Sequence, residues 1–172
     1  MFRNPEIELD DLPDMEDLEW QPMHRHYVRR MLLERLIFAF VLLAASFVPT
    51  IASGGKFAPT VPLWVLAIIF ALPYLSWPLV SVPRRGYVVR DKDIVFKSGV
   101  FWRSVTAVPF NRVQHVETSN TPLDRKFGLA NLQIFTAGGS GGDLSISGLG
   151  ADIAEQLRVY ILDKVGASIE NH

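Results

Sequence analysis

The chain has 172 residues, of which 49% are hydrophobic, and it lacks cysteine, which excludes disulfide-stapled scaffolds and cysteine nucleophiles. Its formal net charge of −1 hides an asymmetry, because residues 1–20 hold eight acidic residues and one arginine, while the remainder holds 16 basic and 10 acidic residues. A long apolar block occupies residues 36–82, so the rest of the chain suffices for one small soluble domain.

The acidic start of the chain, residues 1–19, has few large apolar side chains and no regular spacing between them. Such a segment buries too little apolar surface to offset the entropy of ordering, which predicts a mobile arm. A second interpretation stays open, in which the arm folds back onto the basic residues that follow and competes with anionic lipid for them.

Residues 20–35 form a basic juxtamembrane segment. Trp20 and Tyr27 suit the lipid headgroup layer, and the arginines of this segment can reach lipid phosphates. The pair His24 and His26 raises the question of a metal site. Because neither a cysteine nor a suitably spaced carboxylate accompanies the pair, we expect no metal and no cofactor.

The apolar block is interrupted by one charged side chain, Lys56. About 20 helical residues cross a hydrocarbon core of roughly 30 Å, and neither half of the block has the polar face of a soluble helix. We therefore predict a membrane α-helical hairpin, with transmembrane helices at residues 36–53 and 61–82 and an external loop at residues 54–60.

Basic residues flank the predicted hairpin on both sides, whereas the loop offers only Lys56. The positive-inside rule then predicts a two-pass topology with both termini in the cytoplasm. The residues predicted to contact the anionic leaflet are Arg25, Arg29, Arg30, Arg35, Arg84, Arg85, Arg90 and Lys92.

From residue 84 onward the sequence changes to short alternating segments, which are typical of antiparallel strands with one wet face. A glycine-rich stretch at residues 138–142 predicts a flexible turn. The predicted strands are residues 86–90, 94–97, 100–110, 112–118, 132–136 and 143–147.

Two helices are predicted among these strands. Thr121 can cap a short helix that starts at Pro122 and ends at Gly128, with Asp124 in its first turn. A C-terminal helix is indicated by an apolar stripe, which must cover apolar surface on the sheet. The stripe consists of Ile153, Leu157, Tyr160, Ile161 and Val165. Residues 84–172 are thus predicted to form a cytoplasmic β-rich domain, a partly open barrel or sandwich capped by this helix.

Several short motifs occur in a characteristic order and spacing. Their residues are Trp20, Pro22, Arg112, Val113, Gln114, His115, Val116, Pro122, Leu123, Arg125, Phe127, Gly128, Leu129, Ala130, Leu132, Thr136, Ala137, Gly138, Gly148, Leu149, Ala154 and Leu157. Together they resemble the bacterial pleckstrin-homology-like (PH-like) family, and within it the small YdbS-like membrane proteins. The resemblance covers roughly residues 20–165, and the acidic arm has no counterpart in it.

The resemblance implies a PH-like fold, a strongly bent antiparallel sheet closed at one end by the C-terminal helix, in a protein of the bacterial inner membrane. It implies no established chemistry. Family members are often encoded beside larger relatives with repeated copies of the domain, which implies a subunit or scaffold role. The expected partners are membrane lipid and either another membrane protein, such as a larger relative, or a second copy of the chain.

Three residues of the motifs are candidates for binding a ligand or partner: Arg112, Gln114 and Arg125. The alternative is structural, since the same side chains can pair with Asp124, with Glu117 or with backbone carbonyl groups.

An enzyme is not expected. His115 is the only histidine of the predicted domain other than the C-terminal residue, and it has no nucleophile elbow nearby. The glycine-rich turn lacks the Lys-Ser/Thr of a phosphate-binding loop, and the basic residues do not follow one helix or strand as in a nucleic-acid-binding protein. We expect a protein-binding scaffold at the membrane. The alternative is recognition of anionic lipid or a small ligand, with a link to envelope stress or antimicrobial-peptide resistance.

Overall fold

The computed structural model describes residues 18–52, 61–137 and 144–170. The predicted arm, external loop and glycine-rich turn lie, wholly or almost wholly, outside these ranges. The strands in chain order are β1 Gln21–Pro22, β2 Gly86–Val89, β3 Asp93–Ser98, β4 Ser104–Pro109, β5 Val113–Ser119, β6 Leu129–Thr136 and β7 Leu144–Gly150. The helices are α1 His26–Ala52, α2 Val61–Ser81, α3 Pro122–Lys126 and α4 Ala151–Glu170, and single 3₁₀ turns occur at Val82–Arg84 and Phe110–Arg112.

The strands form two antiparallel sheets, one with the order β1-β2-β3-β4 and the other with the order β5-β6-β7. Helix α4 packs against the second sheet and against the turn between β4 and β5. The predicted β-rich domain with a C-terminal helix is therefore confirmed. Its strands divide between two hydrogen-bonded sheets, since β4 and β5 are not paired with each other.

The first strand and the first turns of α1 belong to the β domain, although the sequence placed them in a separate juxtamembrane segment. Gln21 pairs with Tyr87, and the backbone amide of His24 donates a 2.9 Å hydrogen bond to the carbonyl of Gly148. Met23 and Tyr27 are buried in the core. A two-residue strand is too short to show a hydrophobic period, so sequence patterns could not reveal it.

The core lies between the two sheets and α4. Its centre is formed by Ile94, Leu132 and Ile146, which are fully buried. The face of α4 that meets this core consists of Ala154, Leu157, Ile161 and Val165. The predicted stripe is corrected at two positions, because Ile153 and Tyr160 are each 37% exposed at the margins of that face. The small side chain of Ala154, which the predicted stripe did not include, is fully buried on this face.

The predicted strand at residues 100–110 begins only at Ser104. Gly99 has φ +113°, and a Cβ atom there would lie 1.8 Å from the carbonyl oxygen of Trp102, so the chain turns sharply at this point. As a result Phe101 and Trp102 lie in a loop and are 76% and 88% exposed. We call residues 99–103 the aromatic loop.

Helices α1 and α2 pack against each other. The rings of Phe38 and Tyr74 have centroids 6.1 Å apart, and the Arg35 guanidinium lies 4.7 Å from the Tyr74 ring centroid. Helix α1 starts ten residues before the predicted transmembrane helix because its first turns pack on the β domain. Within the described residues, no helix has both the length and the apolar character required of a membrane span.

Large apolar side chains on α1 and α2 are exposed over much of the length described. Those more than half exposed are Leu36, Ile37, Phe38, Phe40, Val41, Leu42, Val48, Ile51, Ile69, Phe70, Leu72 and Leu79. The apolar surface of the helical pair is thus left uncovered by the β domain.

Replacement of Gly148 by alanine is expected to destabilise the fold. Gly148 has φ +86°, and a Cβ atom there would lie 2.3 Å from the Tyr27 ring. The backbone strain costs about 1–2 kcal/mol and the steric overlap about 1–3 kcal/mol more. At about 2–4 °C per kcal/mol, thermal unfolding of the full chain should show a clearly lower Tm.

Gly128→Ala is the matched control, because φ is +67° there but no atom lies within 4 Å of the added Cβ. This variant should lose only the stability that the backbone strain costs, without a steric contribution. Equal Tm losses in the two variants would show that the contact between Gly148 and Tyr27 does not hold α1 on the domain.

Candidate functional site

The short helix α3 is fixed by a capping box. The hydroxyl of Thr121 accepts from the Asp124 amide at 3.1 Å, and the Asp124 carboxylate accepts from the Thr121 amide at 3.0 Å and from its hydroxyl at 2.7 Å. Pro122 occupies the first helical position. The predicted start of this helix is therefore confirmed, and the capping box holds the Asp124 carboxylate in one orientation.

Asp124 also binds the helical pair to the β domain. Its side chain is almost fully buried, and its second oxygen accepts from Nε of Arg30 on α1 at 2.8 Å. Asn131 on β6 donates to the same carboxylate at 3.3 Å. A buried carboxylate with four donors is well satisfied, so α1, α3 and β6 meet at one charged group.

Burial raises the pKa of Asp124, but the hydrogen bonds from Thr121, the charge of Arg30 and the hydrogen bond from Asn131 together outweigh it. The pKa therefore lies below its ordinary value. A depressed carboxyl pKa stabilises the fold at neutral pH, and this contribution is lost as the pH falls through the folded-state pKa.

His24 and His26 lie beside this junction and contact protein groups. His26 Nδ1 is 3.3 Å from the carbonyl oxygen of Phe127, which only accepts, so this nitrogen carries a proton. His24 Nδ1 accepts from the His26 amide at 3.3 Å. Burial, His26 and Arg25 lower the pKa of His24, against the opposing charge of Asp152, and its ring is therefore neutral at pH 7. Across residues 18–52, 61–137 and 144–170, no three metal-binding side chains come together.

The three predicted ligand-binding residues are not brought together. Arg112 precedes β5 and Arg125 lies in α3 beyond the other end of that strand, so about 20 Å of strand separates them. Gln114 lies near Arg112, at an irregularity in the pairing of β5 with β6. All three side chains are exposed. Asp124, the partner considered for them, is instead paired with Arg30.

The predicted leaflet-contact residues fall at two ends of the domain. We call the end where α1 enters and α2 leaves the proximal end, and the end at the β2–β3 turn the distal end. At the proximal end are Arg25, Arg29, Arg30, Arg35, Arg84 and Arg85. At the distal end are Arg90 and Lys92. The six residues of β3 put about 17 Å between the two ends, which exceeds the Debye length of about 10 Å at 0.1 M salt. Arg90 and Lys92 thus lie at the other end of β3 from the proximal arginines, and their contact with the leaflet stays a prediction.

Several of these arginines have specific partners. Arg30 is paired with Asp124 and Glu34, and Arg90 with Asp93. Arg84 donates to the Val80 carbonyl at 2.6 Å. Arg35 donates to the carbonyl of Tyr74, and Arg85 to the Tyr27 hydroxyl at 3.3 Å. Arg25 and Arg29 are exposed at the proximal end.

The aromatic loop is a feature that sequence reasoning missed. The ring of Phe101 lies 5.9 Å from that of Trp77 on α2, and Trp102 lies edge-on to Phe101 at 6.3 Å. The signal was present in the sequence as two adjacent aromatic residues after Gly99, but the segment was assigned to a strand. The loop extends the apolar surface of α2 onto the proximal end of the β domain.

At the distal end, an open cleft of about 330 Å³ lies between α4 and the β2–β3 turn. Its charged groups include Asp91 and Lys164, which form an ion pair with each other, and this pair lowers the pKa of Asp91 and raises that of Lys164. Asn111 and Lys92 complete its polar lining.

Asp124→Asn is expected to destabilise the full chain by about 3 kcal/mol at pH 7, because it removes the buried partner of Arg30 and leaves only the exposed Glu34 to pair with this largely buried guanidinium. The difference from the parent chain should persist above about pH 5 and shrink as the pH falls below about 4, since the folded-state pKa is depressed. Chemical denaturation at a series of pH values measures this difference.

Glu34→Gln is the control, because Glu34 contacts the same Arg30 but is 55% exposed. Its effect should stay within about 0.5 kcal/mol. A loss in Glu34→Gln as large as in Asp124→Asn would contradict the central role of the buried carboxylate.

Comparison with known proteins identifies the family of this chain. The family model described as the bacterial PH domain matches residues 36–165, which is most of the chain. A 51-residue stretch is 45% identical to the transmembrane protein YdbS of Bacillus subtilis (strain 168), and it covers 30% of this chain and 32% of that relative. The alignment thus spans about a third of the relative's length. No solved structure matches the chain. The resemblance seen in the motifs is confirmed, and the chain belongs to the bacterial PH domain family.

Proposed function

We propose that this chain is a non-catalytic binding subunit of the bacterial inner membrane, whose PH-like domain holds a partner protein at the cytoplasmic face. The observation that carries this proposal is the continuity of α1. Its first turns pack in the β core through Tyr27 and are bound to Asp124 through Arg30, and its remaining turns carry exposed apolar side chains. The β domain is therefore held at a fixed position relative to whatever covers those apolar side chains.

Lipid is the proposed cover. The uncharged part of α1 within the described residues, 36–52, has a length of about 26 Å as a helix, close to a hydrocarbon core of roughly 30 Å. Residues 36–45 of α1 are all apolar, whereas a water-facing helix carries a polar face. A relative that matches part of the chain is named a transmembrane protein.

The pairing of β1 with β2 supports the proposed two-pass topology. These strands lie immediately before α1 and soon after α2, and Pro22 pairs with Gly86. We therefore expect both ends of the helical pair to lie on one side of a bilayer. The arginines of the proximal end favour the cytoplasmic side by the positive-inside rule.

Strand β4 is the proposed docking edge for the partner. It is the last strand of its sheet, and within the described strands it pairs only with β3. None of its six residues is charged, and Val105 and Ala107 are exposed. Natural proteins protect exposed edges with charges, prolines, bulges or covering elements. Strand β4 has a proline only at its last residue, Pro109, so residues 104–108 are suited to adding a strand from another chain.

Binding is favoured over catalysis by the pairing and exposure of the titratable side chains. His115 pairs with Glu117 at 3.0 Å on the open surface, and Asp91 and Lys164 of the distal cleft are paired with each other. An active site would instead be expected to gather perturbed titratable groups in a concave, water-poor pocket.

Membrane insertion and sidedness are testable with fusions to the full chain. The chain should sediment with membranes, resist extraction by alkaline carbonate and dissolve in detergent. A fluorescent-protein reporter after His172 should be active, and a phosphatase reporter at the same place should be inactive, because the phosphatase needs the periplasm. Recovery in the soluble fraction, or the reverse reporter pattern, would contradict the proposal.

The partner is testable with a photo-crosslinking residue at Val105 in native membranes. We expect a discrete crosslinked product that is lost when Thr106 and Ala107 are both replaced by lysine, since charges on an edge strand oppose pairing. The matched control places the crosslinker at Gln156 and lysines at Val159 and Leu162 on the outer face of α4, which are also exposed. Crosslinks from α4 alone, or a lone monomer in mild detergent, would contradict docking at β4.

A further inference from the structure

The aromatic loop exposes two large aromatic rings to solvent. Phe101 and Trp102 are 76% and 88% exposed, whereas Ile94 and Val95 of the adjoining strand β3 are buried. Single exposed apolar residues are common on protein surfaces, but a contiguous exposed group usually marks an interaction site. With Trp77 of α2, the loop forms such a group of three rings.

The conformation of the loop is set by its backbone. Gly99 takes a positive φ that other residues rarely adopt, and the carbonyl of Trp102 occupies the space of the missing Cβ. The loop is bounded by the pairing of Ser98 with Ser104. Phe101 is placed against Trp77, so the two rings point to the same region beside the end of α2.

The charge around the loop is positive. Arg103 is exposed next to Trp102, and Arg84 is exposed where α2 ends. No acidic residue occurs between Asp93 and Glu117. Lys97 of β3 lies over the ring of Trp20, 4.1 Å from its centroid. Aromatic rings beside basic side chains match the chemistry of an anionic lipid interface, where amphipathic rings and cations are both stabilised.

We propose that the aromatic loop is a second membrane contact, in which Phe101 and Trp102 enter the headgroup layer of the anionic cytoplasmic leaflet. This inference rests on the proposed membrane position of α1 and α2. Lipid is favoured over a protein because the loop continues the apolar surface of α2 through Trp77, which the same bilayer would cover. Together with the ends of α1 and α2, the loop gives the β domain a further point of support, which fixes its tilt on the membrane.

The absence of cysteine allows a direct test in the full chain. Single cysteines replace Trp102 in the loop, Leu72 in α2 and Asn111 at the distal end, all at exposed positions. Each carries a nitroxide label, and the protein is reconstituted in vesicles of phosphatidylcholine and phosphatidylglycerol. Power-saturation EPR then measures the accessibility of each label to oxygen, which concentrates in lipid, and to a water-soluble nickel chelate.

We expect the label at residue 72 to be accessible to oxygen and inaccessible to the nickel chelate. The label at residue 111 should be fully accessible to the nickel chelate. The label at residue 102 should be several-fold less accessible to nickel than that at residue 111, with raised oxygen accessibility. Nickel accessibility at residue 102 equal to that at residue 111 would overturn the inference. Shielding from both reagents would also overturn it, because it indicates a protein contact.

The position of the label at residue 72 separates this inference from the proposed function. If that label is aqueous, the membrane position of α2 fails and the loop contact fails with it. If it is buried in lipid while residue 102 is aqueous, only the loop contact fails.

A second variant tests the rings themselves, because the label at residue 102 removes one of them. A label at exposed Ser104 keeps Phe101 and Trp102 intact. Replacing both rings by serine should raise nickel accessibility at residue 104, and replacing exposed Gln156 and Val159 by serine should leave it unchanged. Unchanged accessibility after loss of the rings would show that they do not hold the loop at the interface.

Discussion

The ion pair between Arg30 and Asp124 is the constraint that defines this molecule. A carboxylate that is almost fully buried requires a cation and several donors, and it receives them from α1, α3 and β6 together. Removal of Arg30 leaves the buried Asp124 carboxylate without its cation. The helical pair and the β domain are therefore parts of one structure, and a flexible linker does not separate them.

Local chemistry made part of this arrangement predictable. The cap of α3 followed from Thr121, Pro122 and Asp124, because a capping box is encoded within four residues. The partner of Asp124 was not predictable, since Arg30 lies 94 residues away in a segment that reads as basic and juxtamembrane. Strand β1 has only two residues and therefore shows no hydrophobic period in the sequence. Only its pairing with β2 in the structure reveals it.

In the candidate site, too, residue types were predictable from the sequence but their positions relative to one another were not. The sequence identified which residues are basic, but only the fold shows that Arg90 lies at the opposite end of β3 from Arg84 and that Arg112 and Arg125 are separated by β5. The aromatic loop was missed because Val100, Phe101 and Trp102 are residue types that favour a strand, whereas the backbone turn at Gly99 keeps them out of the sheet. Position in three dimensions, more than residue type, decides which groups share a surface.

The placement of β1 ahead of α1 affects biosynthesis. This strand leaves the ribosome before its hydrogen-bonding partner β2, which follows the whole of α2. Translation proceeds at roughly 5–20 residues per second. For several seconds the nascent chain therefore carries β1 without its partner strand and the aromatic rings of the first turn of α1 without the core that covers them. Newly made protein should therefore depend on a chaperone or on the translocation machinery during this interval, and a tag fused close to Trp20 would interfere with assembly even though it is remote from the domain in sequence.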